Sequence, residues 1–556
     1  MNLSASIRKL TLLFIVLFMA LSAGLVYWQV IVAQQVASNT HNGRSCLPDS
    51  APQRGNIYDR NGVLLAYSTP SATARCGYIR HYTEPSLAGL IGYYVPGFLP
   101  TGIEAQFNNY LNGQIGSTAL NNTVNKLLHR PPVGDNIYLT IDVRIQRIVN
   151  KDYDTPVAID NTLTFQPKGG SVIVTDPHTG NILAMVSRPS FDPNKMVQTL
   201  SVGDLSYYNQ EASALNQPLL ERPTQASYPP GSVYKTVTLM AGLDSGKTTL
   251  DQPFGLQQAF GPVRVGDQAS SHLVGIGQVG SNLENYTIHV PVTTQYGYTH
   301  SDNVIFAQIG EETGVDTWLQ YNKRFYVTQK IPFDLPVTVS TVNNANTPLD
   351  ANLLGDDAFG QGQVLVTPFQ MSLIDDIPAN NGQLMQPRLV SKIVDPNKAV
   401  ILQNQPQTLG TQQVSSTVAQ QTLRSMYSVT QCGSGLVPGV SLNQSPWGII
   451  AKTGTAQLNP GQAAHSWLIT SAPYSIQNLN QMPALTIVAM KENGGEGGSA
   501  NAPMIKNMYN DIFGQRLVKV QQPPAASPTY CCQSGMLQQG LGCPAYTVNV
   551  PQQYLQ

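Results

Sequence analysis

Apolar positions are spread unevenly along the chain. From Leu10 to Val32 only Thr11, Ser22 and Gln29 interrupt an uncharged apolar run, and Arg8 and Lys9 stand just before it. About 20 such residues cross the ~30 Å core of a bilayer, so the pattern predicts a membrane-spanning helix over 10–33 behind a short stub, residues 1–9. The basic pair should hold that stub in the cytoplasm, and Tyr27 and Trp28 suit the interfacial belt at the far end. A cleaved signal peptide ending near Ser22–Ala23–Gly24 is the competing reading. Its apolar region normally runs only about 7–15 residues, which favours an uncleaved anchor. The total lack of charge argues against a buried helix of a soluble protein. A single-pass topology follows, with the bulk of the chain outside the cytoplasm.

Beyond a polar linker at 34–50 the pattern shortens. Gly55–Asn56–Ile57–Tyr58, a turn at Asp59–Arg60–Asn61–Gly62, and Val63–Leu64–Leu65–Ala66 form a hairpin signal, since Asn-Gly between apolar runs favours a tight turn. Similar short runs predict a mostly β amino-terminal domain to about residue 165. A larger domain opens at Gly170 with a second hairpin, Ser171–Val174 and Ile182–Val186 about the turn Asp176–Gly180. Trp447–Ala451, Ser466–Thr470 and Leu485–Met490 read as three further strands that could share one antiparallel sheet with it. Helical segments lie between, so residues 166–515 are expected to form an α+β domain. No charge follows Lys519, and residues 516–556 read as a polar, disordered tail.

Composition narrows the function. At 556 residues the chain is too long for one compact domain. Only 11% of residues are charged and the net charge is −1, so there is no basic field to hold a nucleic-acid backbone. A 42% hydrophobic content fills real cores and excludes a disordered chain. Six cysteines (Cys46, Cys76, Cys432, Cys531, Cys532 and Cys543) make no disulfide scaffold at this length, although they could pair outside the membrane.

Three short segments carry candidate chemistry. In Tyr228–Pro229–Pro230–Gly231–Ser232–Val233–Tyr234–Lys235, the serine and lysine fall three apart at a helix start and so share a face. A neutral lysine can take a serine proton, but the free amine titrates near 10.4, so burial or a second cation must lower it. Ser301–Asp302–Asn303 suits a helix start and also offers a hydroxyl to relay protons and an amide to grip a peptide carbonyl. Lys452–Thr453–Gly454–Thr455 follows a strand-like run. It offers an ammonium, two hydroxyls for a carboxylate, and a glycine beside which a substrate backbone could approach. Singly these are cheap: Ser6–Lys9 and Ser441–Asn443 repeat two of the patterns by accident. In order and together they form the S-x-x-K, S-D-N, K-T-G constellation of penicillin-interacting serine enzymes.

On these segments the chain resembles the class B penicillin-binding proteins, and most closely their shorter, monofunctional PbpA type. Further matches are Arg54–Gly62, Gly102–Ile103–Glu104, Leu139–Asp142 with Gln146, Asp176–Gly180, Pro189–Asn194, and Gly360–Gln361–Gly362 with Thr367–Pro368, so the likeness runs over roughly 52–512. It implies a five-stranded antiparallel sheet flanked by helices, an all-helical subdomain, and a pedestal or dimerisation-like domain ahead of them. It also implies a peptidoglycan D,D-transpeptidase whose Ser232 is acylated by a D-Ala-D-Ala stem peptide or a β-lactam. Lys235 would be the base, Ser301 the proton relay and Lys452 the second cation. Asn303 would hold the donor peptide, Thr453 and Thr455 its carboxylate, and the N–H groups of Ser232 and Thr455 the oxyanion. A SEDS-type membrane glycosyltransferase is the implied partner. The linker before Arg54 is too short for a glycosyltransferase domain, which disfavours the bifunctional class.

Two other functions share the motifs. A serine β-lactamase or D,D-carboxypeptidase would need water activated at the acyl-enzyme, yet Glu311 and Glu312 continue the helix pattern after Asn303 and lie in no E-x-x-L-N loop. A non-catalytic sensor should carry several spans, and one is visible. Gly246–Lys247–Thr248 resembles the end of a P-loop, but Ala241 stands where the pattern needs glycine. No His or Cys spacing implies zinc, and no cofactor is expected.

Overall fold

The computed structural model describes residues 3–28, 32, 53–72, 77–127, 133–158, 164–167, 169–255, 258–259, 263–265, 272–274, 292–343, 348–436, 441–458, 461–479 and 481–525. The amino-terminal helix is Leu3–Val26. Its Lys9–Val26 portion is long and apolar enough to cross a membrane, and none of it is buried against the rest of the protein.

The amino-terminal domain is built on a six-stranded sheet in the order Val400–Gln403, Val390–Val394, Asn136–Leu139, Ile57–Tyr58, Leu64–Pro70, Tyr78–Tyr82. The expected hairpin is present, with Ile57 opposite Ala66 and Tyr58 opposite Leu64. Asp59 closes its turn by accepting from the N–H groups of Asn61 and Val63. Helix is more plentiful here than the strand runs suggest, with Gly102–Gln106, Asn108–Leu111, Gly116–Leu127 and Val143–Tyr153 among the elements. The sheet also borrows two strands from far along the chain, Val390 lying opposite Leu139. Beneath it the Glu104 carboxylate is gripped by Arg54 at 2.5 Å and Arg80 at 2.7 Å, all three side chains being buried.

The second sheet runs Ile450–Ala456, His465–Ala472, Leu485–Lys491, Gly170–Asp176, Asn181–Arg188, every neighbour antiparallel. Leu485–Lys491 is buried throughout because both faces are covered. Val488 and Met490 point into one core, while Leu485, Ile487 and Ala489 point into another, the period of two that a strand imposes. Helix Pro368–Ala379 lines the first face, and helices Val143–Tyr153 and Gly497–Gly514 line the second. Two side-chain amides stitch the domains by imitating a strand partner. Gln146 both donates to the carbonyl of Met185 (3.0 Å) and accepts from its N–H (2.9 Å), and Asn194 does the same to Tyr82 (2.8 and 2.9 Å).

The expected all-helical subdomain contains Lys235–Asp244, Thr294–His300, Asn303–Thr313, Val315–Arg324, Ala351–Asp357 and Ser416–Cys432, with two short strand pairs among them. The tail does not begin at 516. Leu517, Val518 and Val520 pack on the core behind the sheet, since three apolar side chains in so short a stretch gain more from burial than from solvent. Residues 526–556 lie outside the described residues. Cys432 is disulfide-bonded; the other five cysteines also lie outside.

Candidate active site

Pro229 and Pro230 end the preceding segment, and Gly231 turns the chain with φ +57, where an added Cβ would come within 2.6 Å of the Thr455 carbonyl oxygen. Gly231–Tyr234 is a 3₁₀ turn rather than the α-helical start the spacing predicts. In that geometry residues three apart eclipse one another, which stacks Ser232 on Lys235. Lys235 Nζ lies 2.9 Å from Ser232 Oγ. The helix that follows is buried on every side from Lys235 to Gly242, so its hydroxyls need partners. Thr236 pairs with Tyr298 at 2.8 Å and Thr238 donates to the Ala358 carbonyl at 2.8 Å.

Ser301 ends the helix Thr294–His300 in the left-handed conformation, φ 62 and ψ 39. Such strain in a non-glycine residue persists where the surroundings impose it. Here the turn delivers both the carbonyl oxygen and Oγ of Ser301 to Lys235 Nζ, at 2.6 and 3.3 Å. Asp302, not Ser301, caps the next helix by accepting from the Ile305 N–H. Asn303 then opens that helix with its Oδ1 accepting from Lys235 Nζ at 2.6 Å, so its NH₂ end is what it offers a substrate carbonyl.

The third segment departs from its reading. The strand begins at Ile450 and runs through the motif to Ala456, so Lys452 lies within a strand, fully buried, rather than after the end of one. Lys452 Nζ donates to Ser301 Oγ at 2.8 Å and to the Thr453 carbonyl at 2.9 Å. Gly454 has a close neighbour within the protein itself. A Cβ there would sit 2.8 Å from Val233 Cγ1 and 3.0 Å from Val233 N, so its bareness lets the Ser232 turn pack on the strand. Thr453 Oγ1 pairs with Ser434 Oγ at 2.7 Å. Thr455 Oγ1 accepts from the Gly497 N–H at 3.3 Å, which leaves the threonine's own hydrogen for a carboxylate.

Two lysines thus converge on one serine hydroxyl, and among the described residues neither forms a salt bridge. Burial pushes the Lys235 amine down to about 7, with the Asp302 charge opposing. Burial, and then the Lys235 charge, push Lys452 well below its ordinary value. A neutral Lys235 has two hydrogens and one lone pair. The carbonyl oxygens of Ser301 and Asn303 can only accept, so they take both hydrogens, and the lone pair is left facing Ser232 Oγ. Among the described residues no carboxylate hydrogen-bonds to the side chains of Ser232, Lys235, Ser301 or Lys452. Glu311 and Glu312 sit at the far end of Asn303–Thr313, about 12 Å along the helix axis from its first residue.

Residues 170–510 match the model of the penicillin binding protein transpeptidase domain. The chain belongs to the penicillin-binding protein transpeptidase family. Residues 54–137 match a second model, the penicillin binding protein A dimerisation domain. This penicillin-binding protein is 29% identical over 522 residues to the peptidoglycan D,D-transpeptidase PbpA of Mycolicibacterium smegmatis, covering 90% of this chain and 97% of the relative. It is also 29% identical over 520 residues to the protein of that name from Mycobacterium tuberculosis, covering 90% and 97%. Among solved structures, a ceftriaxone acyl-enzyme complex of penicillin-binding protein A from M. tuberculosis is similar with a TM-score of 0.70 at 27% identity, over 83% of this chain and 98% of that one. The imipenem acyl-enzyme complex of the same protein gives 0.68 at 27%, over 83% and 99%. The fold is the penicillin-binding transpeptidase fold.

The structure brings all eight motif residues into one cluster and adds others that the sequence reading missed. Ser434 holds Thr453, and Trp467 Nε1 donates to the Pro229 carbonyl at 3.0 Å, steadying the segment ahead of Ser232. Tyr228 is anchored by its hydroxyl to Glu492 at 2.6 Å. No sequence signal marks Ser434; Trp467 is visible only once its strand is paired with Ile450–Ala456.

Proposed function

We propose that this penicillin-binding protein is a peptidoglycan D,D-transpeptidase that works through an acyl-enzyme on Ser232 and is acylated by β-lactams at the same atom. The observation that carries the reading is the buried Lys235 amine, 2.9 Å from Ser232 Oγ and 2.6 Å from each of the carbonyl oxygens of Ser301 and Asn303, which once neutral can turn its lone pair to the serine. In the reaction Lys235 takes the Ser232 proton as Oγ attacks the penultimate D-Ala carbonyl of a stem peptide. The oxyanion is met by the N–H groups of Ser232 and Thr455, each worth about 3–4 kcal/mol in comparable sites. Ser301 Oγ, shared by the two lysines, passes the proton to the leaving D-Ala amine. Asn303 binds the donor peptide and Thr453 and Thr455 its carboxylate. A neighbouring stem peptide's amine then attacks the ester, closes the cross-link and frees Ser232. The lack of a carboxylate at the acyl position, among the described residues, favours transfer over the hydrolysis of a β-lactamase or carboxypeptidase.

The same reading extends to placement. Residues 34–165 act as pedestal and 166–515 as the catalytic domain, held outside the cytoplasm by a single anchor whose Arg8 and Lys9 remain inside. A SEDS-type membrane glycosyltransferase is the proposed partner, a reading supported by the family resemblance.

Intact mass after incubation with benzylpenicillin tests the chemistry. A stable adduct on Ser232, absent from Ser232→Ala, is expected. Labelling of Ser232→Ala would overturn the assignment, and rapid return to the unmodified mass would replace transfer by hydrolysis.

A further inference from the structure

The two N–H groups of the oxyanion site belong to elements far apart in sequence, the Gly231–Tyr234 turn and the strand Ile450–Ala456. Packing of Gly454 on Val233 limits how closely they approach, but a van der Waals contact does not fix the rotation of a peptide plane. A third segment touches both. The Gly231 N–H donates to the Gly360 carbonyl at 2.9 Å, and an added Cβ at Gly360 would fall 2.0 Å from the Gly231 oxygen, so the two backbones are in contact. The next residue, Gln361, donates through Nε2 to the Thr455 carbonyl at 3.0 Å.

That carbonyl is informative. Ile450–Ala456 is the edge strand of its sheet, and in an antiparallel ladder a residue's N–H and C=O point to the same side. With its C=O held by Gln361 away from the sheet, Thr455 directs its N–H toward the same open side, where the Ser232 turn lies. The loop that carries Gln361 is itself fixed. The N–H groups of Gly360 and Gln361 donate to the carbonyls of Asp357 and Asp356 at 3.0 and 3.1 Å, and Asp357 Oδ1 accepts from the Gln363 N–H at 2.5 Å.

We propose that Gln361 is a positioning residue: its amide, clamped to the Thr455 carbonyl while its neighbour Gly360 is clamped to Gly231, sets the orientation of the Thr455 N–H relative to that of Ser232. This rests on the reading that those two N–H groups receive the oxyanion. The motif Gly360–Gln361–Gly362 thereby acquires a task that none of the three catalytic segments performs.

Stopped-flow acylation by benzylpenicillin separates K, the dissociation constant of the noncovalent complex, from k2, the rate constant of acylation. Gln361→Met keeps the volume and removes the donor, and Gln361→Ala runs in parallel so that a folding defect of one side chain does not decide the outcome. Both variants should acylate Ser232 to completion, with k2 lowered about 10- to 100-fold, since removing an oxyanion donor outright costs more. K should stay within about 3-fold of wild type, because only the transition state carries the developing charge. A wild-type k2 in Gln361→Met, with Ser232→Ala unlabelled, overturns the proposal and leaves the serine assignment intact. A partial adduct formed at the wild-type rate also overturns it, by reducing the amide to a support of the fold. Labelling of Ser232→Ala removes the reading beneath it.

Discussion

Around Glu104 two guanidiniums converge on one carboxylate; around Ser301 two lysine amines converge on one hydroxyl. Both clusters are buried, and the difference lies in what neutralises them. In the amino-terminal domain, burial alone would raise the Glu104 carboxyl, but Arg54 and Arg80 outweigh it and hold it below its ordinary value, so charge is retained. Further bonds run from Arg54 to Asn108 and Asn112, and from Arg80 to the Gly55 carbonyl. Around Ser301 no carboxylate bonds to either lysine among the described residues, and burial favours loss of their protons. Paired burial keeps charge and builds a scaffold; unpaired burial strips charge and makes a base.

The sharpest way to break this contrast is Lys235→Met. Acylation by benzylpenicillin should fall by about 10³-fold or more, the scale of losing a general base. Thermal stability should hold or rise, because folding no longer expels a proton from an amine whose ordinary value is 10.5. That cost is full below about 7, where the folded state must bury the charge, and shrinks as pH rises toward 10.5, so much of the gain should still be visible at pH 8. A clear drop in melting temperature would show that the lysine supports the fold.

Glu104→Gln should behave in the opposite sense. It leaves two buried guanidiniums facing a neutral amide and should cost about 3–5 kcal/mol of stability by denaturant titration. The acylation rate of the remaining folded protein should match wild type; a slowed rate would couple the pedestal to the cleft. Next in size is the acid limb of wild-type acylation. The rate should climb about tenfold per pH unit below about 7 and flatten above it, as Lys235 becomes neutral. A flat profile from about pH 5 to 8 would remove Lys235 as the base. The smallest effect belongs to Asp302→Asn. Asparagine preserves the helix cap but removes the charge that favours the Lys235 ammonium, so the limb should move to lower pH with little change in stability. A shift to higher pH would contradict the assigned sign.

The cleft was legible because its chemistry is local: Ser232 and Lys235 fall within one turn, Ser301 to Asn303 within three residues, and Lys452 to Thr455 within one strand. What the sequence hid is the setting of those segments. Lys, Thr and Gly read as the sequel to a strand, and only the pairing of Lys452 with Ile469 and Thr453 with Leu468 reveals that the buried strand continues through them. Gln361 stood in a visible motif, yet its target is a main-chain oxygen 94 positions away, which no side-chain pattern encodes. Asn108–Leu111, rich in asparagine, has little intrinsic helix preference and is held instead by the Arg54 contacts with Asn108 and Asn112. Likewise the polar start of Val390–Val394 gives no hint that it pairs with Asn136–Leu139.

That last pairing has a consequence in time. The Thr140 hydroxyl reaches the Leu389 carbonyl across 249 positions of chain, beside the ladder that completes the pedestal sheet. At about 5–20 residues per second, synthesis leaves Asn136–Leu139 waiting roughly 12–50 s for its partner strand. Throughout that interval an unpaired strand edge is open to any passing chain. The pedestal is therefore finished only by a polypeptide that already contains Ser232, Ser301 and Gln361. Translation halted before Val390 would leave a sheet with an adhesive margin, and quality control could recognise the failure at the first domain made rather than the last.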